Sequence, residues 1–273
     1  MSSAVEMDAG TFDRLRNLIY ERSGITLGDG KKALLTSRLQ TRMRALGLDG
    51  YREYLAYVLA DGNGDELIEL LDAVSTNVTS FFREPQHFHF LGRDFNRQIK
   101  AGAKRYRVWS AASSSGEEPY TIAMTLLEQM PAPPIDVKIL ATDISTRVLS
   151  MCKEAIYERE KLKSVPSELR SRFFEPVEVE GQRMARVKDP LRRMVSFTRL
   201  NLSTPPFPMK GPFDVIFCRN VMIYFDPQVK KALLTDMHRL LRPGGFLIIG
   251  HAESLSGLDL PYSLVEPAVY VRA

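Results

Sequence analysis

The apolar positions of the chain keep a helical period through its first third and a strand-and-helix rhythm after it. Thr11 opens a segment in which Phe12, Leu15, Leu18 and Ile19 fall on one face, and Gly24 offers a stop. Lys31 to Leu46 repeats the pattern with Leu35, Leu39, Met43 and Leu46, and Gly47 ends it. Tyr51 to Leu59 makes a third helix, closed by the breaker run Asp61-Gly62-Asn63-Gly64, and Glu66 to Val74 makes a fourth. No segment here alternates as a half-buried strand does, so residues 1–90 are expected to form a helical domain.

From Arg107 the runs become short and apolar: Val108 to Ala111, Val137 to Ala141, Phe213 to Phe217 and Phe246 to Ile249. The first three are followed by helical stretches, Pro119 to Met130, Ser145 to Tyr157 and Pro227 to Leu241. Strands buried on both faces and alternating with helices predict a parallel α/β sheet over 91–273, with Tyr262 to Val271 adding antiparallel strands at one edge. Between about 171 and 194 the rhythm breaks into Val177-Glu178-Val179 and Met184-Ala185-Arg186-Val187 around Gly181, which predicts a small inserted antiparallel β-subdomain.

Composition narrows the function classes. A chain of 273 residues with 44% apolar content can bury real cores, which excludes wholesale disorder. The balance of 37 Lys+Arg against 33 Asp+Glu is too even to announce a nucleic-acid binder. Cys152 and Cys218 form no CxxC, which points to a reduced cytoplasmic compartment and away from a structural zinc; no metal is expected. No apolar run approaches the roughly 18 residues that span a bilayer, and the first residues lack the basic flank and apolar stretch of a secretory signal. A soluble cytoplasmic protein with no direct membrane insertion is expected.

Open parallel sheets hold their ligands outside the carboxyl ends of the strands. The first predicted strand runs into Ala111-Ala112-Ser113-Ser114-Ser115-Gly116-Glu117-Glu118-Pro119. Small residues let backbone approach a ligand, yet a diphosphate loop needs GxGxxG and an anion-seeking helix start. Glu117 and Glu118 instead attract an amino group or a sulfonium, which favours S-adenosyl-L-methionine (AdoMet) over a dinucleotide; the plainer reading is that both merely complement the helix dipole. Asp143 ends the second strand, where an acid commonly bonds both ribose hydroxyls or simply caps the next helix. Asn201-Leu202 suits the edge and face of an adenine ring, and the cluster Cys218-Arg219-Asn220 to Phe225 faces the reacting end.

Three strings resemble one family in order and spacing: Thr76-Asn77-Val78-Thr79-Ser80-Phe81-Phe82-Arg83-Glu84, the run from Trp109 to Tyr120, and the run from Phe217 to Phe225. It is the bacterial chemotaxis-receptor glutamate O-methyltransferases, the CheR family. The resemblance implies an all-α N-terminal domain, a Rossmann-like AdoMet-dependent methyltransferase sheet and the inserted β-subdomain. It places cofactor binding on Asn77, Thr79, Arg83, Glu117, Asp143, Asn201, Leu202, Arg219 and Asn220, and the residues nearest the methyl group on Arg83 and Tyr224. Ser115 stands where the family often has threonine. Gly181 stands alone where members that dock a receptor's C-terminal pentapeptide have a glycine-rich turn, so such tethering does not follow.

The implied reaction moves methyl from a sulfonium to a glutamate carboxylate. That carboxylate is ionised near neutrality, so no general base is needed. Arg83 either holds the AdoMet carboxylate or steers the substrate acid; Phe81, Phe82 and Tyr224 either exclude water or, for the two phenylalanines, belong to the core. His87 and His89 are two apart and make a poor metal pair, His238 is expected at the surface, and His251 follows the fourth run. On the second helix Lys31, Arg38 and Arg42 fall within about 40° of one another at 100° per residue. Such a stripe is commonly a solvated face; with the resemblance, Arg38 and Arg42 become substrate-docking candidates for the helical cytoplasmic domain of a chemotaxis receptor. Regulatory proteins are possible further partners. The competing readings are an AdoMet enzyme acting on RNA or a small molecule, a non-catalytic AdoMet-binding receptor adaptor, and, more weakly, a nicotinamide dehydrogenase.

Overall fold

The computed structural model describes residues 6–74 and 78–273. The chain forms two compact units, one of residues up to Thr76 together with Tyr224–Lys230, the other of Asn77–Ile223 with Lys231–Ala273.

The helical unit contains α1 (Ala9–Ser23), α2 (Lys32–Leu46), α3 (Tyr51–Ala60) and α4 (Asp65–Val74). Asp8 caps α1 by accepting from the Thr11 backbone N–H at 3.0 Å, and Gly24 ends the helix with φ 70°, the left-handed turn that glycine takes without strain. Phe12, Leu15, Ile19, Leu35, Leu39, Tyr54 and Leu70 build the core. The segment 224–226 joins this unit: Thr26 N–H donates to the Tyr224 carbonyl at 2.8 Å, and the Tyr20 hydroxyl donates to Asp226 at 2.5 Å.

The second unit runs through α5 (Gln86–Lys100), β1 (Arg105–Ala111), α6 (Glu117–Glu128), β2 (Asp136–Asp143), α7 (Thr146–Glu154), β3 (Ile156–Glu158), α8 (Ser167–Phe173), β4 (Phe174–Val179), β5 (Gln182–Val187) and α9 (Asp189–Arg192). It continues with β6 (Val195–Arg199), β7 (Phe213–Cys218), α10 (Pro227–Leu240), which begins in the helical unit, β8 (Leu241–Ile249), β9 (Tyr262–Glu266) and β10 (Val269–Arg272). The large sheet has the order β6-β2-β1-β7-β8-β10-β9, parallel from β6 to β8 and antiparallel at β10 and β9. Strand order reverses between β1 and β7, and the pairs Ala111 with Thr142, Ala111 with Cys218 and Cys218 with Ile249 bring the carboxyl ends into line there.

Three local expectations are corrected. The helix expected from Ser145 to Tyr157 stops at Glu154: Ala155 turns left-handed with φ 55°, and Ile156 to Glu158 pairs with β5 instead. The inserted antiparallel β-subdomain therefore has three strands in the order β3-β5-β4 and draws β3 from outside the expected 171–194. Helix α5 falls in the sheet unit, because Phe88, Leu91 and Phe95 are buried in its core.

Candidate active site

The loop leaving β1 is shaped by its own backbone. Ala112, Ser114 and Gly116 have φ of 62°, 48° and 96°. A Cβ on Gly116 would come within 2.7 Å of the Tyr157 hydroxyl oxygen and 3.1 Å of Cys152 Sγ, so only glycine fits. Tyr157 donates to the Ser115 carbonyl at 2.9 Å and Cys152 to the Ser114 carbonyl at 3.0 Å, which pins the loop from β3 and α7.

Glu117 opens α6 fully buried, with Ser115 Oγ donating to one oxygen at 2.6 Å and Lys161 Nζ to the other at 2.7 Å. Sequence reading missed Lys161; it lies 44 residues away in a 3-10 turn after β3, and no local pattern marks it. Glu118 turns the other way: it accepts from Ser110 at 2.7 Å and from Arg219 at 2.9 Å, and burial pushes its carboxyl up against the opposing pull of Arg219 and Ser110. Arg219 thus sits in a buried ion network, donating also to the Arg83 carbonyl at 2.5 Å and to Glu84 at 3.0 Å. Burial raises the Glu84 carboxyl, but Arg219 outweighs it and holds the group below its ordinary value.

Arg83 is half-buried and donates to the Val78 carbonyl at 2.9 Å; its neighbours Phe82 and Glu84 hold left-handed φ of 54° and 56°. Thr79 is half-buried, and Asn77 lies outside the described residues. Phe81 is core: its ring meets Tyr157 and Phe174 edge-on at 5.0 and 5.5 Å. Asp143, 7% exposed, accepts from the backbone N–H of Ser114 at 2.8 Å and of Ser145 at 3.0 Å, tying the ends of β1 and β2 together. Asn201 accepts from Ser203 N–H at 3.0 Å in a local turn beside buried Leu202. Asn220 follows β7 with φ 57°. Tyr224 is half-buried and closes a 3-10 turn that starts at Met222.

The histidines group differently from the expectation. His87 is buried and meets the exposed His251 edge-on at 4.8 Å, whereas His89 is exposed. His238 is half-buried against Tyr262 rather than at the surface, and burial lowers its pKa. Glu84, His87 and His251 bring ligand-type atoms within 4.8 Å of one another, a zinc-like donor set. The Glu84 oxygen that faces His87 at 3.4 Å is the one Arg219 already neutralises.

Arg38 and Arg42 are largely spent inside the helical unit. Arg38 donates to the carbonyls of Ala73 and Val74 at 3.0 and 2.9 Å, satisfying the end of α4. Arg42 forks onto Glu66 at 2.9 and 2.6 Å, and Tyr54 donates to the same carboxylate at 2.9 Å. The continuous cationic stripe expected from helical spacing is thereby broken, because two of its members satisfy partners that lie 24 or more residues away.

The small-residue loop, the buried acid at the start of α6 and the acid ending β2 suit a cationic nucleoside. Ser114 Oγ, buried without a hydrogen-bond partner among the described residues, adds a donor that such a ligand can use. Fold and site together define a Rossmann-like, AdoMet-dependent methyltransferase. The family model described as CheR methyltransferase, SAM binding domain, matches residues 77–271, and CheR methyltransferase, all-alpha domain, matches residues 10–75. The chain belongs to the CheR methyltransferase family. It is 39% identical over 270 residues to the chemotaxis protein methyltransferase of Salmonella typhimurium, covering 99% of this chain and 92% of that protein. It is 38% identical over 270 residues to that of Escherichia coli, covering 99% and 93%. The probable chemotaxis protein methyltransferase of Rhizobium etli is 42% identical over 246 residues, covering 88% and 91%. Among the described residues no helix is long and apolar enough to cross a membrane.

Proposed function

We propose that the chain transfers methyl groups from AdoMet to glutamate side-chain carboxylates of chemotaxis receptors, forming methyl esters in sensory adaptation. The observation that carries this reading is the similarity along nearly the whole chain to relatives named chemotaxis protein methyltransferase, supported by acids rather than a GxGxxG loop at the carboxyl ends of β1 and β2. Bound AdoMet supplies a methyl group made electrophilic by its sulfonium.

The residues of this chain bind and orient. Glu117 offers a buried carboxylate to an amino group, Asp143 one to ribose hydroxyls, and Asn201 with Leu202 the edge and face of a purine pocket. Thr79, Asn77, Arg219 and Asn220 complete the set that the resemblance assigns. Arg83 and Tyr224 keep, on the resemblance alone, the positions nearest the methyl group. A carboxylate nucleophile and a sulfonium cancel charge as they react, so alignment in a water-poor pocket supplies most of the rate. The partner is the helical cytoplasmic domain of a receptor, met by exposed Lys31 just before α2 and by the stapled Arg38 and Arg42 on the same face. A cytoplasmic location and the absence of a metal requirement belong to the same reading.

The experiment is incubation with methyl-labelled AdoMet and receptor-bearing membranes. Label released as methanol by base marks a carboxyl ester and supports the proposal. Base-stable label marks N-methylation and favours another substrate, and AdoMet binding without transfer favours an adaptor.

A further inference from the structure

The chain leaves β7 through Arg219-Asn220-Val221-Met222 and leaves β8 through Gly250-His251-Ala252-Glu253. One carboxylate holds both exits. Glu253 Oε2 accepts from Gly250 N–H at 2.7 Å and from Asn220 N–H at 2.9 Å, while Oε1 accepts from Met222 N–H at 2.8 Å. Its own N–H donates back to the Gly250 carbonyl at 2.9 Å and closes the turn. Three backbone donors from two strand ends converge on this one carboxylate, an acceptor that binds N–H groups more strongly than a neutral carbonyl does. Among the described residues no lysine or arginine pairs with Glu253, so the carboxylate serves the backbone.

The conformation held this way is not one the chain takes for nothing. Asn220 sits at φ 57°, a region that non-glycine residues enter only when the surroundings over-determine it. A Cβ on Gly250 would collide with the Asn220 side-chain amide, so the two exits touch with no side chain to spare between them. Asn220 and Arg219 are the residues on which the proposed cofactor site depends at this end of the sheet. Arg219 is anchored through its guanidinium, but the backbone of Asn220 is anchored by Glu253.

We propose that Glu253 is a positioning residue for methyl transfer: its carboxylate sets the backbone of Asn220 and Met222, and so fixes the wall of the AdoMet pocket without touching the ligand. This inference rests on the reading of Arg219-Asn220 as cofactor-binding. Glu253→Gln keeps the volume but points an amide N–H₂ at backbone donors, so at least one of the three bonds is replaced by a donor–donor contact.

The test combines calorimetry with S-adenosylhomocysteine, steady-state kinetics and a thermal melt on the full chain. In Glu253→Gln the dissociation constant and the KM for AdoMet rise about tenfold, the equivalent of one charge-assisted bond. Glu253→Asp, which keeps the charge on a shorter arm, falls between that variant and wild type. A role in stability alone would lower the melting temperature and the active fraction while leaving KM and affinity in place, and that outcome overturns the proposal. Should Glu253→Gln fail to fold, amide exchange of the wild-type protein decides: protection of Asn220, Met222 and Gly250 N–H that rises together on adding S-adenosylhomocysteine supports it. Fast exchange of all three with ligand bound overturns it. A wild-type chain that binds no S-adenosylhomocysteine overturns the site reading itself, which is a different failure.

Discussion

Arg219 binds Glu118 across the sheet's carboxyl edge at 2.9 Å, with only 2% of the arginine side chain exposed. The same guanidinium reaches Glu84 at 3.0 Å, so one buried cation answers two acids. Removing it strands both. Arg219→Met is expected to lose about 3–5 kcal/mol of stability by denaturant titration. Glu118→Gln in the same background recovers part of that loss, because one uncompensated carboxylate disappears. Equal losses in the single and double variants would show that the pair contributes nothing through charge.

Asp143 carries two jobs, as a tie between the loops after β1 and β2 and as the proposed ribose ligand. Asp143→Ala should weaken S-adenosylhomocysteine by roughly 1.5–3 kcal/mol in calorimetry. A folded variant with wild-type affinity would remove Asp143 from the cofactor site.

Arg83→Ala and Tyr224→Phe are expected to slow methyl transfer at saturating AdoMet by at least tenfold, a loss of about 1.4 kcal/mol or more of transition-state stabilisation. Neither change empties a core position, since both side chains are half-buried, so the melting temperature should stay near wild type. Wild-type turnover in both variants would refute the roles given to them.

What the sequence made legible was whatever is encoded locally. The strand runs and the small-residue loop after β1 follow from apolar period and small residues, and Gly24 and Gly47 end α1 and α2 as helical pattern predicts. Strand β3 was hidden because its three residues continue the helical spacing of α7, and only pairing with β5 makes them a strand. The engagements of Arg38, Arg42 and Lys161 were hidden for the same reason: spacing reveals which face a side chain shares, not the partner that folding brings to it. Glu253 sits four residues past a strand end, where an acid looks like any loop residue until two chain exits are seen converging on it.

That distinction changes how receptor docking is tested. Arg42→Glu would set a second carboxylate against Glu66, which is 4% exposed, and the helical unit would suffer before any receptor was met. Even Arg42→Met should cost about 2–4 kcal/mol, discounted for an arginine that is 31% exposed. Lys31, exposed at the end of that face, gives the cleaner experiment. Changing it to Glu should leave S-adenosylhomocysteine affinity and the melt unchanged while receptor methylation falls and becomes less sensitive to salt. Wild-type receptor kinetics in that folded variant would return the face to ordinary solvated surface.

His87 should make the fold acid-sensitive. Burial, and then the charge on Arg219, lower its pKa to about 4, against the opposing pull of Glu84. Glu84, Arg219 and the ring of His251 are the ionisable groups that face it. An unfolded histidine titrates near 6.5. Between roughly pH 6.5 and 4 the unfolded chain therefore takes up a proton that the folded chain refuses, so stability present above that window is lost as the pH falls through it. The loss is on the order of 2–3 kcal/mol by pH 4. His87→Phe keeps an aromatic ring against His251 and removes the titration. Denaturant midpoints measured from pH 7 to 4.5 should then fall less steeply in the variant than in wild type. Parallel curves would assign the acid sensitivity to other groups and leave His87 as a neutral core residue with no part in it.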